Sequence, residues 1–381
     1  QIWTDNEEGE KINLIEAVSD SDEGRQVSES ILETKLRHHY NNSEFAILYR
    51  TNAQSRAFEE WLRKLDIPYR IYGGLSFYQR KEIKDFLAYL RLTINPNDEE
   101  ALKRVINFPT RGIGLSSVQK LIIEADKNSC SIWDIVLNIE QHPDLNNRAK
   151  QAIILFRTLI NSLMVINKNT NAYDMAMSVN KETGIGQMLF KDKTVEGISR
   201  YENLQELLNS IQEFVESRSD LLNEDGSQSS TDLNTYLEDV SLLTSIDEND
   251  DDNDKVTLMT IHASKGLEFT NVYVSGLEEE LFPSSLSMNF KEDIEEERRL
   301  FYVAITRAEK HLNLSYAQSR YRFGNLLHCK HSRFIDELNI KVQNKSFEFK
   351  AKPKSNFSNK FKGIQTKKTP SKTFTKPLLK K

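Results

Sequence analysis

The run TIHASKGLEF at 260–269 gathers His262, Ser264, Lys265, Gly266 and Glu268 within seven residues, directly after the apolar stretch VTLMTI. A polar loop at the carboxyl end of a parallel strand is where open α/β sheets place ligand groups. Gly266 permits a backbone turn or close approach of a ligand, and Lys265 and Glu268 can reach opposite groups of one molecule. A charged strand–helix loop without any ligand has the same composition, so this run alone leaves both readings open. A second run, EEERRLFYVAITRAEKHL at 295–312, reads as a helix with Leu300, Val303 and Ala304 on one face and Arg307 one turn further along it. Burying a guanidinium without a partner is expensive, and an anionic ligand removes that cost. Many NTPases stabilise a transferring phosphoryl group with an arginine inserted in this way. The alternative is a surface ion pair with one of Glu295, Glu296 or Glu297. A third run, FPTRGIGLSSVQKL at 108–121, sets Gly112 and Gly114 around one apolar residue, and Ser116 with Gln119 has capping-box spacing. A glycine turn feeding a helix N-terminus offers unpaired N–H groups to a DNA phosphate, or is only a helix entry.

These runs need a scaffold, and the apolar pattern supplies one. A helical pattern ends near Tyr40, FAILYR (45–50) reads as a buried strand, and Phe58, Trp61, Leu62 and Leu65 fall at helical spacing. Pro68 ends that helix and YRIYG (69–73) reads as a short strand. Strand–helix alternation predicts a parallel α/β unit. From about residue 80 only helical stripes follow: Ile83 to Ile94, Leu102 to Ile106, Val118 to Ala125, 152–166, Tyr201 to Val215 and Leu233 to Val240. This predicts a helical domain, with Trp61 and the stripes as core. DENDDDND (247–254) reads as its solvated exit linker. The α/β pattern then returns with strands at VTLMTI (256–261), NVYVSG (271–276) and HLNLSYA (311–317), and a long helix over 295–309. A helical domain bracketed by α/β pieces suggests an insertion.

Composition excludes several classes. The 381 residues carry only Cys130 and Cys329, which excludes a disulfide framework and a zinc-cysteine module and suits a reducing, cytoplasmic compartment. No run of 18 or more apolar residues occurs, so no membrane contact is expected. From Asn344 to Lys381 twelve lysines face one glutamate, a net +11, which leaves −17 on residues 1–343 out of a total of −6. Nucleic-acid contact in the body must therefore be local. The lysine-rich segment with its interspersed phenylalanines is expected to be disordered, either holding nucleic acid or a partner, or serving as a plain linker. The first residue is Gln and no signal-like segment follows it, so the chain is expected to begin inside a longer protein.

TIHASKGLEF followed by EEERRLFYVAITRAEKHL resembles the late motifs of UvrD/PcrA/Rep-type superfamily 1 DNA helicases. FAILYRTNAQSR (45–56), IPYRIYGGLSFYQRKEIKDFLAYLR (67–91) and FPTRGIGLSSVQKL match the same family in the same order, from about residue 1 to about 338. The resemblance implies an α/β fold in which a RecA-like parallel-sheet motor domain, 2A (1–77 and 251–340), is interrupted by a mostly helical insertion, 2B (78–250), and followed by a disordered tail (341–381). It implies that Arg307 contacts the γ-phosphate, that Glu268 accepts a hydrogen bond from the ribose hydroxyl, and that Gly266 lies in the ATP-binding segment. His262 and Lys265 would couple nucleotide state to DNA. Arg50, Asn52 and Arg56 would touch single-stranded DNA. Arg111, Gly112, Ile113, Gly114 and Ser116 would form a hairpin contact to duplex DNA.

No G-x-x-x-x-G-K-[ST] occurs, and no DExx run follows a strong apolar strand. The resemblance assigns both, and most of the ATP and Mg²⁺ ligation, to an N-terminal motor domain of the same protein. The expected function is thus the C-terminal portion of an ATP-dependent 3′-to-5′ DNA helicase of repair or replication, inactive alone. The helicase part of a recombination helicase–nuclease, and a DNA-binding or partner-docking module without ATPase, stay as alternatives.

Overall fold

The computed structural model describes residues 10–219, 229–244, 253–322, 325–338 and 343–344. The acidic linker up to residue 252 and the lysine-rich segment from 345 onward lie outside them. The chain opens with β1 (Asn13–Ala17), α1 (Asp20–His38), β2 (Phe45–Tyr49), α2 (Ser55–Lys64) and β3 (Tyr69–Ile71). Helices then follow one another: α3 (Lys81–Ile94), α4 (Glu99–Val105), α5 (Leu115–Asn128), α6 (Ile132–Leu137), α7 (Asn147–Asn167), α8 (Ala172–Thr183), α9 (Ile185–Lys191), α10 (Val195–Ser219) and α11 (Leu233–Thr244). The last part is β4 (Val256–Thr260), β5 (Phe269–Val274), α12 (Lys291–Ile305), β6 (Ala308–Ala317), the β7–β8 hairpin (Ser319–Arg322 and Asn325–His328), α13 (Arg333–Glu337) and the short β9 (Gln343–Asn344).

One sheet joins both ends of the chain in the order β3-β4-β2-β5-β6-β1-β9, with every pairing parallel. Strand β2 lies inside it between β4 and β5, and its five residues are all buried, as a strand covered on both faces requires. Phe45, Ile47 and Tyr49 pack with Val27 and Ile31 of α1 and Phe58 and Leu62 of α2. Ala46 and Leu48 belong to the opposite layer with Met259, Val274, Phe301, Ala304 and Phe334. Between β3 and β4 the described residues contain no strand, and Phe86, Leu102, Leu121, Phe156, Ile160, Leu204 and Ile211 build a separate helical core. Helix α7 is long and apolar enough to cross a membrane by length and composition. Its Ala149, Ile153, Phe156, Ile160 and Leu163 nevertheless fall at helical spacing into that core, which accounts for the stripe.

Several sequence expectations change. Strand β1 (NLIEA) and helices α6, α8 and α9 form where the apolar pattern predicts no element. The helix expected over 295–309 is Lys291–Ile305. Arg307 is therefore not on it: its carbonyl accepts from Phe269 N–H at 2.9 Å, so the sheet claims the chain at that point. Trp61 is only half-buried, its indole N–H donating to Ser21 Oγ at 3.2 Å and Lys64 Nζ lying 4.3 Å from its ring centroid.

Candidate functional site

Parallel pairing separates the candidate residues into two groups. The segment 261–268 leaves the carboxyl end of β4 and must reach the amino end of β5, so it runs the height of the sheet. His262 therefore lies at the carboxyl edge, where Thr260 pairs with Tyr49 and Arg50 follows. Glu268 lies at the opposite edge, where Phe269 pairs with Ala308 and Arg307 precedes it. Within the segment, Ser264 is buried and its hydroxyl donates to the Ile261 carbonyl at 2.8 Å. Lys265, Gly266 and Glu268 are exposed. Gly266 has φ +86°, a left-handed conformation that a side chain would strain.

Arg307 is held in place by neutral acceptors. Its Nε donates to Val303 O at 3.0 Å, Nη1 to Leu267 O at 2.9 Å and Nη2 to Thr306 Oγ1 at 3.1 Å. The proposed ion-pair alternatives are all engaged elsewhere: Glu295 pairs with Arg298, Glu296 with Arg299 and Glu297 with Arg50. Among the described residues, no carboxylate lies within ion-pair distance of Arg307. The result is a half-buried, positioned cation one residue from the exposed Glu268 backbone, with its charge uncompensated. Such a group attracts an anion.

At the other edge, Arg50 is gripped by Glu297 of α12, with Nη2 to Oε1 at 2.8 Å and Nε to both carboxylate oxygens at 3.1 and 3.2 Å. Sequence reasoning missed Glu297 as its partner; the acidic run EEE was the available signal. Gln54 Oε1 fixes the turn by accepting from the N–H groups of Arg50 and Thr51 at 3.0 and 2.9 Å. Asn52 is exposed beside them. His262 sits near this pair, and partial desolvation, with the nearby Arg50 charge, holds its pKa below the ordinary histidine value. Helix α12 connects the two edges: from Glu297 to its last residue, Ile305, eight residues rise about 12 Å at 1.5 Å per residue, and Arg307 follows two residues past that end.

Arg56 does not join this surface, which corrects its assignment to DNA contact. Its side chain is 2% exposed and faces Glu206 at 2.7 Å, Glu60 at 3.1 Å, Asp20 at 3.5 Å and Glu213 at 3.6 Å. Burial alone would lower its pKa, but these carboxylates outweigh it and raise the pKa well above the ordinary arginine value. Glu206 and Glu213 come from α10, Asp20 and Glu60 from α1 and α2, so Arg56 ties the helical insertion to the sheet layer. Arg80 does the same nearby, donating to Asn52 O at 3.1 Å, Ser55 Oγ at 2.8 Å and Asn203 Oδ1 at 2.9 Å. Neither role was legible in the sequence, because both depend on α10.

The glycine turn keeps only part of its expected surface. Asn107 Oδ1 accepts from the N–H groups of Arg111 and Ile113 at 2.9 and 3.0 Å. Ile113 is 1% exposed and anchors the turn, which corrects its assignment as a contact residue. Arg111 is largely engaged within the fold, donating to Val105 O at 3.1 Å, Pro109 O at 3.2 Å and Tyr89 Oη at 2.6 Å. Gly112 (φ +81°), Gly114 and Ser116 remain exposed. Ser116 is not the cap: α5 starts at Leu115 with Gly114 as N-cap, so the Ser116–Gln119 spacing falls inside the first turns.

Comparison with known proteins adds two findings. The UvrD-like helicase C-terminal domain matches residues 1–319. The ATP-dependent DNA helicase PcrA of Staphylococcus aureus (strain Mu50 / ATCC 700699) is 40% identical over 342 residues, covering 88% of this chain and 45% of that protein. PcrA of Staphylococcus epidermidis (strain ATCC 12228 / FDA PCI 1200) is 40% identical over 339 residues, again covering 88% and 45%. The chain thus spans about half the length of the curated relatives it matches.

Proposed function

The chain belongs to the UvrD-like helicase C-terminal domain family, and from that membership we propose that it is the 2A and 2B portion of an ATP-dependent 3′-to-5′ DNA helicase serving DNA repair or replication in the bacterial cytosol. The relatives it matches are ATP-dependent DNA helicases. The observation that carries the reading is the convergence of Arg307 on the 260–268 segment, Nη1 to Leu267 O at 2.9 Å, with no carboxylate among the described residues within ion-pair distance of it.

In this reading an N-terminal motor domain of the same protein supplies the phosphate loop and the Mg²⁺ ligands. ATP draws that domain onto the edge of the sheet carrying Arg307 and Glu268. Arg307 then meets the γ-phosphate, where a positioned guanidinium stabilises the spreading charge of phosphoryl transfer. Glu268 takes the ribose hydroxyl, with Gly266 allowing close approach. His262, Lys265 and helix α12 pass the change to the opposite edge, where Arg50 and Asn52 lie against single-stranded DNA. Gly112, Gly114 and Ser116 meet duplex DNA through the exposed glycine turn. The lysine-rich segment adds sequence-independent attraction to phosphate or tethers a partner.

Residues 78–250 act in this proposal as domain 2B, inserted into a 2A domain formed by 1–77 and 251–340. A helicase of this kind is directional. The full-length protein with ATP and Mg²⁺ is expected to unwind a duplex carrying a 3′ single-stranded tail and to leave the same duplex with a 5′ tail intact. Unwinding from the 5′ tail alone would reverse the assigned polarity.

A further inference from the structure

At the amino edge of the sheet, three chain segments bring Glu10, His38 and His311 together. Glu10 precedes β1 and its N–H donates to Lys310 O at 3.3 Å. His38 is the last residue of α1, and His311 lies in β6. One donor atom from each lies within 4.8 Å of the other two. None of the three takes part in the nucleotide or DNA roles proposed above. We propose that they form a binding site for a divalent transition-metal ion, with zinc the natural occupant.

The ligand chemistry supports this. Two imidazoles and one carboxylate are a known zinc donor set that leaves a fourth position for water. Nitrogen donors favour zinc, nickel, cobalt and copper over the oxygen-seeking magnesium and calcium. The site also has an organised surround. His311 is the fixed ligand, 11% exposed, with Nδ1 at 3.5 Å from a Glu10 carboxylate oxygen. Its Nε2 lies 3.1 Å from the Tyr40 hydroxyl. With the proton on Nε2 donated to that hydroxyl, Nδ1 presents its lone pair toward Glu10 and His38, which is how an outer hydrogen bond selects the ligating nitrogen.

Tyr40 also positions the second histidine. Its ring stacks on His38 at 5.4 Å between centroids and meets Phe45 edge-on at 6.2 Å. The His38 and His311 rings lie 5.2 Å apart. Zinc–nitrogen bonds of about 2.0–2.1 Å require tetrahedral donors about 3.3 Å apart, so binding must draw the three inward. Glu10, 65% exposed, has the freedom to make most of that movement. A bound ion would clasp the entry to β1, the end of α1 and strand β6.

The test is calorimetric titration of the 381-residue chain with zinc chloride, alongside thermal melts with zinc or magnesium. One equivalent of zinc should bind and raise the melting temperature, while magnesium at the same concentration leaves it unchanged. His311→Ala should weaken zinc binding at least about 100-fold, and Tyr40→Phe, which keeps all three ligands, about 10-fold. His38→Ala, at a partly exposed helix end, provides the same test should His311→Ala fail to fold. His331→Ala, in the separate stretch holding His328 and Cys329, should change nothing. Absence of zinc binding, or zinc binding unaffected by both His38→Ala and His311→Ala, would overturn the site.

Discussion

Arg307→Ala in the full-length protein should lower kcat for ATP hydrolysis by roughly 10³-fold or more, the scale of arginine fingers in phosphoryl transfer. The geometry explains both the size and the selectivity. Arg307 is anchored through Val303 O, Leu267 O and Thr306 Oγ1, so its charge is positioned before any nucleotide arrives. Little reorganisation is then needed at the transition state. Its partners are two carbonyls and a hydroxyl, so alanine leaves no buried carboxylate unpaired and the fold should persist. Single-strand affinity should change little, because Arg50 and Asn52, the residues assigned to single-stranded DNA, lie at the other edge of the sheet. Steady-state turnover and an oligonucleotide titration on the same preparation separate the two effects. Turnover within a few-fold of the parent would make Arg307 a helix-end residue and nothing more.

Arg56→Ala should cost about 3–5 kcal/mol of stability, the range for removing one partner from a buried ionic group. Four carboxylates surround that guanidinium, and its loss leaves them repelling one another in a poorly solvated junction. The effect has a pH signature. Burial pushes Glu213 up to about 7 against the pull of Arg56, and burial likewise raises Glu206. An acid whose folded pKa exceeds its unfolded value binds more protons when folded, so its contribution to stability is fully present below about 4.5 and is lost as pH rises to about 7. Without Arg56 these acids rise further. Chemical denaturation should therefore show the variant losing stability more steeply than the parent between pH 5 and 8. A difference under 1 kcal/mol at pH 7.5, or parallel pH profiles, would show that the junction is carried by packing alone.

The fold and the candidate site were unequally legible in the sequence. Strands β2 and β4 announce themselves because a strand covered on both faces reads as a near-continuous apolar run, and the helical stripes follow from one buried face. Strand β1 was hidden by its polar positions: Asn13 bonds Asn313 at 3.1 Å and Glu16 accepts from Gln318 at 2.8 Å, pairings that no local pattern reveals. The motif strings brought Arg307, Glu268 and His262 forward as candidates. Their division between two edges of the sheet became visible only with the parallel order of β4, β2 and β5. Arg56 was misassigned for a related reason. An arginine in a strand-end loop looks free until Glu206 and Glu213, about 150 residues away, close over it. Glu297 was weighed as a partner for Arg307, because its actual partner, Arg50, lies 247 residues away in the chain.

The most direct measurement is ATP hydrolysis by three preparations at matched concentration with saturating single-stranded DNA and Mg²⁺: this chain alone, the N-terminal motor portion of the same protein alone, and the two together. This chain brings Arg307 and Glu268 but no phosphate loop, so it should hydrolyse ATP no faster than buffer. The mixture should turn over ATP well above the sum of its parts, and Arg307→Ala in this chain should abolish the gain. Steady Mg²⁺-dependent turnover by this chain alone, or a mixture no more active than the N-terminal portion by itself, would contradict the assignment of this chain as one side of a shared ATP site.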